Sequence, residues 1–248
     1  RGVRRVVVPA AARMSGVGDG LRPAAREDLR ALAVDVAPRL LGGVLVTDVA
    51  EERVVVRITE VEAYLGLGTG DVPDPGSHAR MGPTARNATM WGEPGHLYVY
   101  LSHGIHSCVN VVAAPAGGAG GILLRAGEIV DGEDAALRRR TAGRGVVRRP
   151  RDLARGPGRL GDAVGLRHPV HDGIDAIEPD ERADARARLW LREEPLAAVA
   201  RGPRVGVAGV AGTAEYPWRF WIEGDPTVSA FRWGRGAAAL SEPTRPTC

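Results

Sequence analysis

The densest chemistry in the chain lies in residues 53–66, Arg53-Val-Val-Val-Arg-Ile-Thr-Glu-Val-Glu-Ala-Tyr-Leu-Gly66. In an extended segment successive side chains alternate faces, so Val54, Val56, Ile58, Glu60, Glu62 and Tyr64 are expected on one side. That side begins apolar and finishes acidic. A carboxylate that continues an apolar stripe is either paired with a cation or partly desolvated, and desolvated carboxylates in clefts serve as general bases. An edge strand whose end emerges into water would show the same pattern, and periodicity does not rank the two glutamates.

Other candidate groups surround this stretch. Tyr64, Tyr98 and Tyr100 are three of only four tyrosines, and aromatic faces near a carboxylate can stack a flat heterocycle. Core packing explains the same residues. Positions 138–159 are rich in Arg and end in Arg155-Gly-Pro-Gly-Arg-Leu160. A proline at a first helical turn marks a helix N-terminus, whose free amides can hold phosphate, although many basic runs are only solvated faces. His103-Gly-Ile-His106-Ser-Cys108 has the residue types of a metal site, but its spacing fits no standard zinc pattern. Gly117–Gly121 lacks the Lys and the Ser or Thr of a phosphate loop. No metal or organic cofactor is expected.

Composition narrows the chemistry further. All 33 basic residues are Arg, and the formal net charge is only +3. Without a lysine amine, no side chain can form a Schiff base with a sugar. Two cysteines, Cys108 and Cys248, cannot build a disulfide framework. No apolar run approaches the roughly 18 residues of a membrane helix, so a cytoplasmic protein is expected, with no membrane contact.

The elements that must position these groups follow from pattern. Residues 24–41 read as an amphipathic helix bent or ended near Pro38, and Val44–Asp48 with Arg53–Ala63 as a hairpin. Residues 66–96 lack any period, and so long a loop in a compact domain is usually functional. Strands are expected at 96–101, 107–112, 122–125, 189–191, 205–207 and 219–222, and a helix at 131–141. The expected fold class is α+β: one domain over 21–234 with a mainly antiparallel curved sheet flanked by helices. Residues 1–20 and 235–248 are expected to be disordered.

Four ordered segments make the chain recognisable: Glu60-Val-Glu-Ala-Tyr-Leu-Gly66; Ser77-His-Ala-Arg with Thr84-Ala-Arg-Asn87; Gly95-His-Leu-Tyr-Val-Tyr-Leu-Ser-His-Gly104 continuing to Cys108-Val-Asn110; and Leu123-Leu-Arg-Ala126 with Arg155–Leu160. Together they resemble the alkyladenine (3-methyladenine) DNA glycosylases of animals and many bacteria. The resemblance implies a monofunctional enzyme of base-excision repair, acting as a monomer on double-stranded DNA that contains alkylated or deaminated purines such as 3-methyladenine or hypoxanthine. It assigns Glu62 as general base with Arg125 helping to hold the water, and makes Glu60 structural. Tyr64, His78 and Tyr100 would stack the flipped base, and Asn110 would crowd the extra amino group of guanine. His103 stands where the family usually places a tyrosine wedge, with Ile105 and His106 beside it. Arg86, Arg155 and Arg159 are the expected contacts to the DNA backbone.

Overall fold

β-Branched residues crowd a helical backbone but stack well on a pleated surface, and the Val-rich segments at 44–49, 54–61 and 109–112 all lie in strands. The computed structural model describes residues 20–142 and 146–241. Its strands are β1 (Leu21–Pro23), β2 (Val44–Val49), β3 (Glu52–Leu65), β4 (His96–Ser102), β5 (His106–Val112), β6 (Gly120–Asp131), β7 (Ala154–Arg155), β8 (Ile174–Asp175), β9 (Ala185–Arg192), β10 (Val199–Gly202) and β11 (Arg219–Ile222). They form one curled antiparallel sheet in the order β1-β9-β2-β3-β6-β5-β4-β8, with β11 joining β10 to β3 and β7 lying on β6. The helices are α1 (Ala33–Leu40), α2 (Glu133–Thr141), α3 (Pro157–Val164) and α4 (Ala237–Ser241). The architecture is the α+β single domain expected from the sequence. No helix among the described residues is long and apolar enough to cross a membrane.

The central strand β3 departs from strict alternation. Ile58 pairs with Gly127 and Glu60 with Ala126, which leaves Thr59 as an extra residue; Val61 then pairs with Leu124, which leaves Arg125 extra on β6. A bulge shifts the phase of a strand by one residue, and such a slip sends every following side chain to the opposite face. Accordingly Val54, Val56 and Ile58 join the core, and so do Val61, Ala63 and Leu65. Glu60, Glu62 and Tyr64 face the other way. The expectation of one continuous face from Val54 to Tyr64 is thus corrected at Thr59. The bulge is fastened by a buried hydroxyl pair, Thr59 Oγ1 and Thr227 Oγ1 at 2.7 Å.

On the core face α1 contributes Val36 and Leu40, and α3 contributes Leu160 and Val164. Helix α3 lies directly against β5: a Cβ on Gly161 would sit 2.0 Å from the Ser107 carbonyl oxygen, so only glycine allows this approach. The helix expected over 24–41 is instead a 3-10 turn at Arg26–Leu29 followed by α1. Residues 205–207 are not a strand; they form a turn, and the neighbouring strand is β10. Within the expected C-terminal tail, Ala237–Ser241 is helical; residues 1–19 and 242–248 lie outside the described residues. The basic run is partly consumed internally. Arg139 donates to the carbonyls of Val49 and Glu52, Arg140 to Asp162, and Arg138 to Glu52.

The long segment after Gly66 is held by one buried ion pair. Arg204 Nη1 and Nη2 reach Asp74 Oδ2 and Oδ1 at 2.8 and 2.7 Å, and both side chains are fully buried. Arg204 also donates to the carbonyls of Ala63 at 3.0 Å and Ala211 at 3.1 Å, while Asp74 accepts the amides of Leu65 and Gly76. Asn87 braces the same segment through the carbonyls of His78 and Gly82. Removing one member of a buried pair leaves the other charge without compensation, which costs about 3–5 kcal/mol. Arg204→Met is therefore expected to lower the thermal midpoint by roughly 6–20 °C, taking about 2–4 °C per kcal/mol for a chain of this size. A calorimetric shift near zero would show that Asp74 finds another partner.

Candidate active site

The site grows from the face of the sheet turned away from the core. Tyr98 pairs with Asn110, Asn110 with Leu123, Leu123 with Glu62 and Glu62 with Arg219, so five side-chain positions on five strands form one row. Tyr100 and Cys108 make the next row on β4 and β5. Except for Arg219, which lies behind, these residues line a cleft of about 630 Å³ together with His78, Arg80 and Arg86 from the long loop and Val205 to Ala208 from the turn. That volume lies within the range of about 300–1,000 Å³ typical of small-ligand sites.

Glu62 sits fully buried at its floor. Its Oε2 accepts hydrogen bonds from the Tyr64 hydroxyl at 2.8 Å and Arg125 Nη1 at 3.1 Å, and its Oε1 accepts the Val205 amide at 2.6 Å. A carboxylate has about four acceptor sites, so among the described residues one is left on Oε1. Arg125 is fixed from both ends. Its Nε donates to Glu60 Oε1 at 3.1 Å, and it is extruded toward Glu62 because it occupies the bulge of β6. The two neighbouring carboxylates hold its guanidinium above the ordinary arginine range against the opposing pull of burial.

Glu60 lies deeper. Its Oε1 also takes Arg219 Nε at 2.6 Å and its Oε2 the Ser229 amide at 2.8 Å. Burial alone would raise its carboxyl, but Arg125 and Arg219 outweigh that and hold it below the usual range.

The aromatic walls are uncharged. Tyr98 and Tyr100 stack with ring centroids 5.5 Å apart, and His78 stands edge-on to Tyr100 at 4.6 Å with its Nδ1 3.2 Å from the Tyr98 hydroxyl. Burial pushes the Tyr98 hydroxyl up to about 12 and raises the Tyr64 and Tyr100 hydroxyls above their ordinary values as well, so all three stay protonated. Burial, with Arg86 and Arg80 nearby, lowers His78 below 6.5, which keeps its imidazole neutral at pH 7. Tyr64 is backed by the Arg204 guanidinium 4.5 Å from its ring centre. Asn110 is buried and donates from Nδ2 to the Tyr98 carbonyl at 3.0 Å.

The structure thus brings Glu62, Arg125, Tyr64, His78, Tyr100 and Asn110 into one cleft, with Arg86 and His103 at its lining. His103, Gly104 and Ile105 form the tip of the β4–β5 hairpin, where Ser102 pairs with His106; His103 has a positive φ of 50° and Ile105 is 72% exposed. Arg159 is exposed on α3, whereas Arg155 is half-buried and donates from Nε to the Val228 carbonyl at 2.9 Å. Among the described residues no three His, Cys, Asp or Glu side chains converge as a metal site. Cys108 is buried in the cleft wall and its thiol is pushed up by that burial. Val205 and Arg204 escaped sequence reading because the apolar pattern Val205-Gly-Val207 imitates a strand; the useful signal was Gly-Pro before it and Gly within it, which punctuate a turn.

Comparison with known proteins agrees with this geometry. The family model described as methylpurine-DNA glycosylase matches residues 27–226. Proteins provisionally named 3-methyladenine DNA glycosylase are similar over most of their length. One from Leifsonia xyli subsp. xyli is 48% identical, covering 84% of this chain and 92% of its own. Another from Streptomyces avermitilis is 44% identical, covering 85% and 92%, and one from Nocardia farcinica is 48% identical, covering 79% and 85%. With a match across most of its length and a cleft that collects the residues of all four ordered segments, the chain belongs to the methylpurine-DNA glycosylase family.

Proposed function

We propose that the protein flips alkylated or deaminated purines, such as 3-methyladenine and hypoxanthine, out of duplex DNA and hydrolyses their glycosidic bond in base-excision repair. The observation that carries this reading is Glu62: a buried carboxylate with one open acceptor position, at the floor of a cleft walled by neutral aromatic side chains. A glycosidic bond is inaccessible inside a stacked duplex, so the base must leave the stack, and damaged bases leave it most easily.

In this reading the extruded purine lies between Tyr64, His78 and Tyr100. Their neutral faces suit a base that carries positive charge, because the ring quadrupole attracts cations. Glu62 accepts a proton from water through the open position on Oε1 and faces the positive charge that develops on the deoxyribose. Arg125 orients Glu62 from the other oxygen. Asn110, anchored on the Tyr98 carbonyl, occupies the space where guanine carries its exocyclic amine. The hairpin tip at His103 and Ile105 enters the gap left in the duplex, with His106 beside it, and an imidazole there offers less apolar area than a tyrosine. Arg86, Arg155 and Arg159 approach phosphates. With water as nucleophile and no lysine in the chain, the product is an abasic site with both strands intact.

Two measurements test this. Wild type is expected to release base from a duplex carrying hypoxanthine or 3-methyladenine, and Glu62→Gln to lose about 10²- to 10⁴-fold in the single-turnover rate while keeping its affinity for the damaged duplex; a lesion duplex bound without any release by wild type would reveal a binding protein instead. Affinity should also fall steeply with salt. Arg86→Ala or Arg159→Ala is expected to flatten the plot of log affinity against log salt by about one unit of slope each, and an unchanged slope would remove that residue from the backbone contacts.

A further inference from the structure

Glu60 has no part in the hydrolysis outlined above, yet it is one of the most completely buried charges in the molecule. It does not line the cleft. It stands behind Arg125, and its two oxygens are filled by Arg219, Arg125 and the Ser229 amide. Arg219 is almost as buried, packs its guanidinium 4.4 Å from the Trp221 ring centre, and pairs with no carboxylate other than Glu60 among the described residues.

The charges beneath the cleft therefore cancel. Glu60 and Glu62 offset Arg125 and Arg219, and the next buried cation, Arg204, is offset by Asp74. The tyrosines and His78 are neutral. Among the described residues, the other arginines that line the cleft, Arg80 and Arg86, are exposed, and ions screen exposed charges. Such a balance matters for purines that differ in charge. A purine alkylated on a ring nitrogen is a cation while attached to the sugar; hypoxanthine is neutral. Net charge is conserved as the glycosidic bond breaks, so a cluster with excess positive charge disfavours the cationic lesion throughout, relative to the neutral one.

We propose that Glu60 is a specificity-determining positioning residue: by neutralising Arg219 and sharing Arg125 with Glu62, it sets the cleft's preference for cationic over neutral purines. The proposal rests on the glycosylase reading above. Removing one compensating charge in a site of effective dielectric near 20 changes the affinity for a nearby cation by about tenfold.

The test compares base release from a duplex carrying 3-methyladenine with release from one carrying hypoxanthine, at about 0.15 M salt so that the exposed arginines are screened. The quantity read is the ratio of the two single-turnover efficiencies. Glu60→Gln keeps the shape and acceptor oxygen of the side chain and is expected to lower the ratio of cationic to neutral lesion about tenfold. Arg219→Gln is expected to raise it, and the double variant, with charges again balanced, to return it close to wild type. Equal losses on both lesions, with the ratio unmoved in both single variants, would make Glu60 a purely structural residue and overturn the proposal. If Glu60→Gln does not fold, Arg219→Gln carries the test with the opposite sign. A second readout needs no turnover: the ratio of affinities for duplexes holding a protonated pyrrolidine or a neutral tetrahydrofuran in place of the nucleotide should move in the same directions. If wild type releases neither base, the glycosylase reading fails, and the affinity ratio alone decides whether Glu60 sets the charge preference.

Discussion

Two bulges placed opposite one another, Thr59 on β3 and Arg125 on β6, govern most of what the molecule can do. A regular strand through this sequence would carry Glu60 and Glu62 into the same interior as Val54, Val56 and Ile58, where two unpaired carboxylates could not remain ionised. One additional residue reverses the phase, so that Val61, Ala63 and Leu65 take over the core and the acids turn to the other side. The partner bulge supplies the cation on the spot. This pair of facing irregularities thus resolves a conflict between apolar packing and acidic chemistry within one strand.

Arginine does the remaining assembly, in a chain without lysine. A guanidinium offers five donors in a fixed fork, so one side chain can bind a carboxylate and carbonyls on separate segments at once. Arg204 does this for Asp74, Ala63 and Ala211, while Arg125 uses its fork to join the carboxylates of Glu60 and Glu62. An ammonium could match the charge at these positions but not the geometry. Because both clusters are buried, their value lies in fixing one arrangement of loops around the cleft, and each partner that is lost leaves another exposed to an apolar surrounding.

Much of the sheet was legible from alternation. Strands β2 to β5, the hairpin through Glu51 and the start of α3 at Pro157 follow from apolar period and turn residues. Glu62, Tyr64, Tyr100, Asn110 and Arg125 were reached through ordered motifs, and they do share a cleft. What periodicity could not supply was the phase: nothing in Arg-Ile-Thr-Glu announces that Thr59 will be skipped, since the cause is a hydroxyl partner at Thr227, distant in the chain. The same limit hid Arg204, whose role depends on Asp74 far upstream, and made the Arg138–Arg140 run look available to a ligand when α2 turns much of it onto β3 and α3. Local pattern reports what a segment prefers; it is silent on which distant groups will complete it.

The distances along the chain between these partners carry a temporal consequence. Glu62 and the Val205 amide are 143 residues apart, Asp74 and Arg204 are 130 apart, and Glu60 and the Ser229 amide are 169 apart. Contacts that close such long loops form late, because their entropy cost precedes any reward. During synthesis the first half of the sheet can pair while the acidic end of β3 still lacks its cations and amides. The cleft is therefore finished only after the segment through Ser229 has left the ribosome, and a nascent chain that ends before it still lacks the amides and cations that hold Glu60 and Glu62 in place.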